Sequence, residues 1–178
     1  GGSNGMLTQD YADAILFRRL GASRLLRTVC AAPTGAANAG LYGKMASTVY
    51  HDYPSARLIL VWGVNPGVSG IHLMPFLKEA RDLGATIVTV DPRATTIARQ
   101  SDIHLAVRPG TDLVVALAIH RHLFEEGLAD AAFLDAHTTG AQRLRERAGP
   151  WTFERAAEVS GVPAEQVRQV KKFESGMV

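Results

Sequence analysis

Short apolar runs alternate with helical patterns through the middle of this chain of 178 residues. Residues 58–61 form an unbroken apolar run, residues 85–90 are apolar and β-branched, and residues 103–107 form a third short run. Such runs are typical of strands, and the first suits a strand that is buried on both faces of a parallel sheet. Helical spacing follows each run, over residues 73–83, 94–100 and 113–126. The alternation predicts βαβ crossovers and a parallel sheet.

Helical patterns also flank this middle part. Residues 7–20 have helical periodicity, which Gly21 ends. Residues 28–43 are rich in small side chains, which fit either a tightly packed helix or loop or a close approach of the backbone to a ligand. Beyond Leu128 four more helices are predicted, at residues 130–136, 140–147, 152–159 and 163–173. The expected fold is therefore a three-layer α/β/α, Rossmann-like parallel sheet with a helical C-terminal part.

This pattern divides the chain into three parts of what we expect to be a single domain. Residues 1–50 form an N-terminal helical or loop segment, residues 51–127 form a nucleotide-binding α/β core, and residues 128–178 form a helical segment that packs on the core. A helix that begins near residue 112 is expected to be capped by Thr111 or Asp112.

Composition and charge narrow the class of protein. Hydrophobic residues make up 47% and charged residues 20%, as in soluble globular proteins. The balance of 19 Lys and Arg against 17 Asp and Glu gives no reason to expect a nucleic-acid or membrane-surface partner. No apolar run approaches the roughly 20 residues of a membrane span. No signal peptide is visible, so we expect a cytoplasmic protein, with a periplasmic location left open.

The loop after the first predicted strand contains Asn65 and Ser69. Ligands of open α/β sheets bind at the carboxyl ends of the strands, beside helix N-termini. The backbone amides of this loop and Ser69 could therefore hold a phosphate, although an ordinary turn with a serine cap fits equally well. The glycines do not match the GxGxxG spacing, so the standard nicotinamide dinucleotide fingerprint is absent.

The loops after the second and third predicted strands each contain an acid. Asp91 could accept hydrogen bonds from two ribose hydroxyls and Arg93 could pair with a phosphate, or the two could be a turn residue and an exposed cation. Asp112, which follows Gly110, could accept from the adjacent N1–H and N2–H donors of guanine and so select it over adenine. The simpler alternative for Asp112 is a helix cap.

Candidate metal ligands are few. Cys30 is the single cysteine, so an internal disulfide is excluded. A lone cysteine is usually a small buried hydrophobic residue, but its thiolate is also a soft metal ligand. His120 and His122 lie two apart on a predicted helix and cannot share a metal, and the other histidines show no metal-binding spacing.

Together these stretches resemble the molybdopterin oxidoreductases, the family of formate dehydrogenases and of nitrate and sulfoxide reductases. The resemblance rests on an ordered series of motifs rather than on any one of them. These are Trp-Gly-Val-Asn-Pro at 62–66 with Ser69, Val-Asp-Pro-Arg at 90–93 with Thr95 and Ala98, Ser-Asp at 101–102, and Arg-Pro-Gly-Thr-Asp at 108–112.

The resemblance implies a molybdenum or tungsten ion held by two molybdopterin guanine dinucleotides, with one guanosine end across the three loops. Six residues in three pairs would bind this end. The first pair approaches the diphosphate or sugar, the second meets the ribose and its phosphate, and the third recognises guanine. In this order, the six residues are Asn65, Ser69, Asp91, Arg93, Gly110 and Asp112.

Cys30 lies about where the family has its protein ligand to the metal, which implies a metal-binding and catalytic role for it. A cysteine there fits the formate dehydrogenases and nitrate reductases better than the sulfoxide reductases. The chain lacks the family's N-terminal cysteine motif for an iron–sulfur cluster and its C-terminal β-barrel domain. We therefore expect a fragment of a larger enzyme, and we expect this fragment to be inactive alone. The parent protein would act on a small redox substrate. Its other parts would be the remaining domains, electron-transfer subunits and an iron–sulfur cluster.

Two other interpretations fit the sequence less well. A non-catalytic relative, such as the large subunit of respiratory complex I, would keep the fold without molybdenum, but an empty site has no need of Asp91, Arg93 and Asp112. A different nucleotide binder, such as the central domain of thiamine-dependent enzymes, is disfavoured by the Arg-Pro-Gly-Thr-Asp series.

Overall fold

The structure, a computed structural model, describes residues 12–23, 31–44 and 48–171. The chain forms two compact units, residues 1–48 and residues 49–178. In the first unit the described segments contain helices α1 (Ala12–Arg19) and α2 (Ala31–Tyr42), and neither has a buried residue. The described part of the helix predicted at residues 7–20 is confirmed, and the small-residue stretch is helical over residues 31–42.

The second unit is built on a sheet of three parallel strands in the order β1-β2-β3. The strands are β1 (Leu58–Trp62), β2 (Thr86–Val90) and β3 (Ile103–Leu105). All three lie where the apolar runs predicted them. The helices of this unit are α3 (Pro66–Ser69), α4 (Met74–Asp82), α5 (Thr96–Gln100), α6 (Asp112–Glu125), α7 (Ala131–His137), α8 (Ala141–Ala148), α9 (Phe153–Ser160) and α10 (Ala164–Lys171), with 3-10 helices at Tyr50–Ser55 and Ile71–Leu73.

Hydrophobic clusters on the two faces of the sheet confirm the predicted three-layer arrangement. Helices α4 and α5 cover one face through Leu77, Ala80 and Ile97, which pack against alternate residues of β1 and β2. Helices α6 and α10 cover the other face through Val115, Val167 and Val170, together with the loop residue Val162. Because side chains alternate along a strand, β2 supplies residues to both clusters and is the centre of the core.

The expectation that β1 is buried on both faces is wrong. Ile59 and Val61 are buried against α4, but Leu60 between them is 44% exposed. The reason is position, since β1 is an edge strand of the described sheet and the helices on the second face pack mainly against β2 and β3. An unbroken apolar run therefore did not distinguish an edge strand from a central one.

Two contacts fix the ends of β3. At its amino end, Oδ2 of Asp102 accepts a hydrogen bond from the Ile87 N–H at 2.8 Å, and the Asp102 N–H donates to the Ile87 carbonyl at 2.9 Å. Beyond its carboxyl end, the Arg108 guanidinium donates to the carbonyls of Glu158 and Val159 near the end of α9, at 3.1 and 3.3 Å. A cation at a helix C-terminus also interacts favourably with the helix dipole.

Gly161 makes room for the Arg108 side chain at the end of α9. It ends α9 with a φ of 76°, in the left-handed region where a side chain is strained. A Cβ at this position would also lie 3.1 Å from the Arg108 Nε. The loop after β3 is therefore held in place by the C-terminal helices of the same unit.

Candidate functional site

The polar residue at the end of β1 is Asn65, which directly precedes the short helix α3. Its side chain makes no capping hydrogen bond, and its Oδ1 atom is buried without a hydrogen-bond partner in the described structure. A buried amide oxygen without a partner costs about 1–3 kcal/mol, so native structures rarely keep one without a reason. Asn65 is thus positioned to accept a hydrogen bond from an outside donor.

Ser69 is the last residue of α3 rather than the first residue of a long helix. Its hydroxyl donates to the Asn65 carbonyl at 3.1 Å. A hydroxyl has a single proton, so Ser69 would have to give up this bond before it could donate to a phosphate. In the described conformation it closes the turn that begins at Asn65.

At the end of β2, Asp91 is hydrogen-bonded to β3. Its N–H donates to the Leu105 carbonyl of β3 at 3.2 Å, and its own carbonyl lies 2.8 Å from Nε2 of His104. Oδ1 of Asp91 accepts from the Arg93 N–H at 2.7 Å, which closes a turn around Pro92. Oδ2 accepts no hydrogen bond from the described residues, and the exposed Arg93 side chain pairs with none of them.

The third loop ends at the start of α6. Asp112 is the first residue of this helix, and the preceding Thr111 is the N-cap residue. Thr111 is thus the N-cap residue, one of the two predicted, but its side chain makes no capping bond, because Oγ1 donates to the Arg108 carbonyl at 2.6 Å. Gly110 has a φ of 83° with open space where a Cβ would lie, which leaves the backbone accessible here.

A hydrogen bond between two distant motifs joins the first and third of these loops. Nε1 of Trp62, the last residue of β1, donates to Oδ1 of Asp112 at 2.8 Å. Since β2 lies between β1 and β3, this bond spans the carboxyl end of the sheet. Asp112 Oδ2 accepts no hydrogen bond from the described part of the chain.

Two cavities lie elsewhere in this unit. One of about 660 Å³ lies between α4 and α5 and is mostly apolar, with Arg81 among its lining residues. One of about 200 Å³ is lined by side chains of α6, α9 and α10 and by Trp151. None of the six predicted site residues lines either cavity.

The predicted metal ligand, Cys30, lies outside the described residues, so its role stays a prediction. Among the residues that the structure does describe, no group of three or more His, Cys, Asp or Glu side chains could hold a metal ion. A search of the same residues finds no helix with the length and apolar character needed to cross a membrane.

Two of the sequence motifs contain side chains for which no role was predicted. Ser101 and Asp102 brace the sheet, since the Ser101 hydroxyl bonds the buried Thr89 hydroxyl and Asp102 bonds Ile87. The motif at residues 62–66 contains Trp62 but predicts no role for its side chain. Its position 50 residues before Asp112 gave no sequence signal for the bond between the two.

Comparison with known proteins identifies the family. The model of the molybdopterin oxidoreductase family matches residues 3–169. The probable oxidoreductase YoaE of Bacillus subtilis is 32% identical over 97% of this chain and 25% of its own length. The alpha subunit of F420-dependent formate dehydrogenase 2 of Methanococcus maripaludis is 30% identical over 74% of this chain and 19% of its own length.

A solved structure is similar as well. Acetylene hydratase from Pelobacter acetylenicus has a TM-score of 0.70 and 26% identity, over 79% of this chain and 19% of its own. The chain thus spans about a quarter or less of the proteins that it matches here. It belongs to the molybdopterin oxidoreductase family, whose cofactor is molybdopterin with molybdenum or tungsten.

Proposed function

We propose that this chain binds the guanosine end of a molybdopterin guanine dinucleotide within a molybdenum- or tungsten-dependent, two-electron oxidoreductase. The whole protein would resemble the formate dehydrogenases and nitrate reductases. The observation that carries the proposal is the arrangement of Asn65, Asp91 and Asp112, which follow the carboxyl ends of three adjacent parallel strands. In open α/β sheets this edge is where nucleotides bind.

The atoms left open at this edge fit a guanosine diphosphate group. The buried Oδ1 of Asn65 needs a donor, which a sugar hydroxyl supplies, whereas a phosphate would have to be met by the amide Nδ2. Oδ2 of Asp91 and Oδ2 of Asp112 accept nothing from the described residues and suit ribose hydroxyls and guanine. The Arg93 guanidinium suits a phosphate, with which it can pair through two parallel hydrogen bonds.

These residues bind and orient the cofactor, and the chemistry belongs to the metal. When bound, the metal would supply the two-electron redox chemistry of the whole enzyme. In this proposal Asp91 and Asp112 fix the far end of the cofactor, and Ser69 and Gly110 shape the loops against which its sugar, phosphate and base lie. Cys30 is proposed as the protein ligand of the metal, because a thiolate is a soft donor of the kind that such sites use.

The finer points of the proposal concern the whole protein. Its substrate would be a small redox molecule, and its partners would be the other domains of the parent chain and electron-transfer subunits. An iron–sulfur cluster bound elsewhere would carry the electrons. The non-catalytic alternative of a complex I type is not favoured, because the relatives described above are named as an oxidoreductase, a formate dehydrogenase and a hydratase. Molybdenum or tungsten in the purified whole protein would separate the two.

The direct test is a calorimetric titration of the 178-residue chain with GDP and with ADP. A correct hydrogen-bonding pair at a base edge is worth about 1–3 kcal/mol, so GDP should bind roughly 5- to 150-fold more tightly than ADP. Adenine presents an acceptor where guanine has its N1–H, and that acceptor would face a carboxylate oxygen. Equal affinity for the two nucleotides would remove the guanine assignment.

A further inference from the structure

The side chain of Trp62 offers its N–H to the acid that we assign to guanine. Trp62 ends β1, and its ring packs against the cluster that contains Val90 and Leu105. From there Nε1 reaches Oδ1 of Asp112 at 2.8 Å, a normal length for an N–H···O hydrogen bond. The bond is partly buried and joins residues 50 positions apart, so it comes from the tertiary fold and not from a local turn.

This bond restrains the Asp112 carboxylate, whose orientation the backbone leaves open. The terminal torsion of an aspartate is broad, so its carboxylate plane is poorly fixed by local geometry. Asp112 is the first residue of α6 rather than its cap, and hence no capping bond restrains the side chain. The indole N–H is a donor only and binds one oxygen, which leaves Oδ2 and a second lone pair on Oδ1 for other donors.

Guanine demands such an orientation. Its N1–H and N2–H donors are parallel and adjacent, so both carboxylate oxygens must lie in the plane of the base. A carboxylate that turns out of this plane keeps at most one good hydrogen bond, and one bond does not distinguish guanine from hypoxanthine, which lacks the 2-amino group.

We propose that Trp62 is a positioning residue for guanine selectivity, which holds the Asp112 carboxylate in the plane that receives both guanine donors. This inference rests on the proposed function. It adds a second residue to base recognition, supplied by a different strand, and it makes selectivity depend on β1 and α6 keeping their places. Trp62 contacts the base only through Asp112.

The test compares Trp62→Phe with a matched control, Trp151→Phe, in titrations with GDP and with inosine diphosphate. These are the two tryptophans of the chain, and the Trp151 ring stacks under Arg155 at 4.6 Å instead of donating to Asp112. We expect Trp62→Phe to bind GDP about tenfold more weakly, because a misplaced Asp112 carboxylate loses one of its two hydrogen bonds from guanine. The affinity for inosine diphosphate, which lacks the 2-amino group, should change much less. The control should match the parent chain.

A second replacement guards against a folding defect in Trp62→Phe. Benzothienylalanine at position 62 keeps the shape of the indole and exchanges its N–H for sulfur. It should show the same loss of preference for GDP over inosine diphosphate, with an unchanged circular dichroism spectrum. In the parent chain the indole N–H signal of Trp62, assigned by its survival in Trp151→Phe, should shift on GDP binding.

The outcomes separate the two proposals. If the parent chain shows no preference for GDP over ADP, the proposed function fails and this inference fails with it. If the parent chain prefers GDP and the benzothienylalanine variant keeps the full preference over inosine diphosphate, only the role of Trp62 is overturned. An equal loss for both nucleotides would also overturn it, because it would show a structural role without selectivity.

Discussion

Two aspartates at opposite ends of β3 have different uses. Asp102, at the amino end, exchanges two hydrogen bonds with the backbone of Ile87 and so extends the ladder between β2 and β3. Asp112, beyond the carboxyl end, accepts one bond from an indole and keeps an oxygen that no described residue uses. At the amino end of the sheet the acid is used by the fold itself, and the carboxyl end offers acceptors to a ligand.

Two arginines at the carboxyl end repeat the contrast. The Arg108 guanidinium donates to two carbonyls near the end of α9 and lies against Gly161, so it is a structural residue. The Arg93 guanidinium is exposed and has no partner among the described residues. Both belong to motifs of the family resemblance, so membership in a motif does not distinguish a structural residue from a ligand-binding residue. The hydrogen-bond partners of each side chain make that distinction.

The largest effect should come from Asp112→Asn. An amide offers one acceptor and one donor, so its N–H₂ would face a guanine donor, and the preference of GDP over ADP should fall by about 10- to 100-fold. Xanthosine diphosphate, which carries a carbonyl in place of the 2-amino group, should gain affinity. Calorimetry with the three nucleotides measures this, and an unchanged preference for GDP would place Asp112 with Asp102 as a brace.

The matched change at the other end is Asp102→Ala. It should reduce the free energy of unfolding by about 1–2 kcal/mol, because the Ile87 N–H loses its acceptor. Asp102→Asn, which retains an acceptor oxygen, should lose less. Urea denaturation measures both, and the preference for GDP should stay that of the parent chain. A selectivity defect in Asp102→Ala without a loss of stability would contradict the distinction between the two ends.

The sequence predicts part of this arrangement and misses the rest. Apolar runs located all three strands, and their order along the chain brought Asn65, Asp91 and Asp112 to one edge. Burial of a side chain depends on what covers it, and so the exposure of Leu60 was missed. The bond between Trp62 and Asp112 was missed for a similar reason, since a contact across 50 residues exists only once the fold brings the ends together.

Asn65→Ala should have a smaller effect, of opposite kind to Asp102→Ala. Its buried Oδ1 has no partner in the described structure, so stability should be unchanged or rise by less than about 1 kcal/mol. Affinity for GDP should fall by roughly five- to tenfold. Titration with guanosine alongside GDP locates the contact, since a loss shared by guanosine assigns it to the nucleoside part and not to the diphosphate. Full affinity for both ligands would show that Asn65 meets neither.

The smallest effect, on the pH dependence of stability, should come from Glu154→Gln, at a carboxylate that lies at neither end of the sheet. A hydrogen bond from its own backbone N–H lowers the pKa of Glu154 below the ordinary 4.5, and the Thr152 hydroxyl and Arg168 lower it further. A depressed pKa stabilises the fold fully above pH 4.5, and this contribution is lost as pH falls through the lower folded value. Glu154→Gln should therefore lose slightly less stability than the parent chain on acidification, as urea midpoints measured at neutral pH and at about pH 3 would show. The two chains should bind GDP equally.

The central claim is that three strand ends bind one guanosine diphosphate group, and the most direct measurement is NMR of the chain titrated with GDP. We predict that backbone amide shifts concentrate at residues 64–70, 91–93 and 108–112, together with the indole N–H of Trp62. Shifts that leave these three loops unchanged, or that gather around Arg81 and the cavity between α4 and α5, would contradict the account.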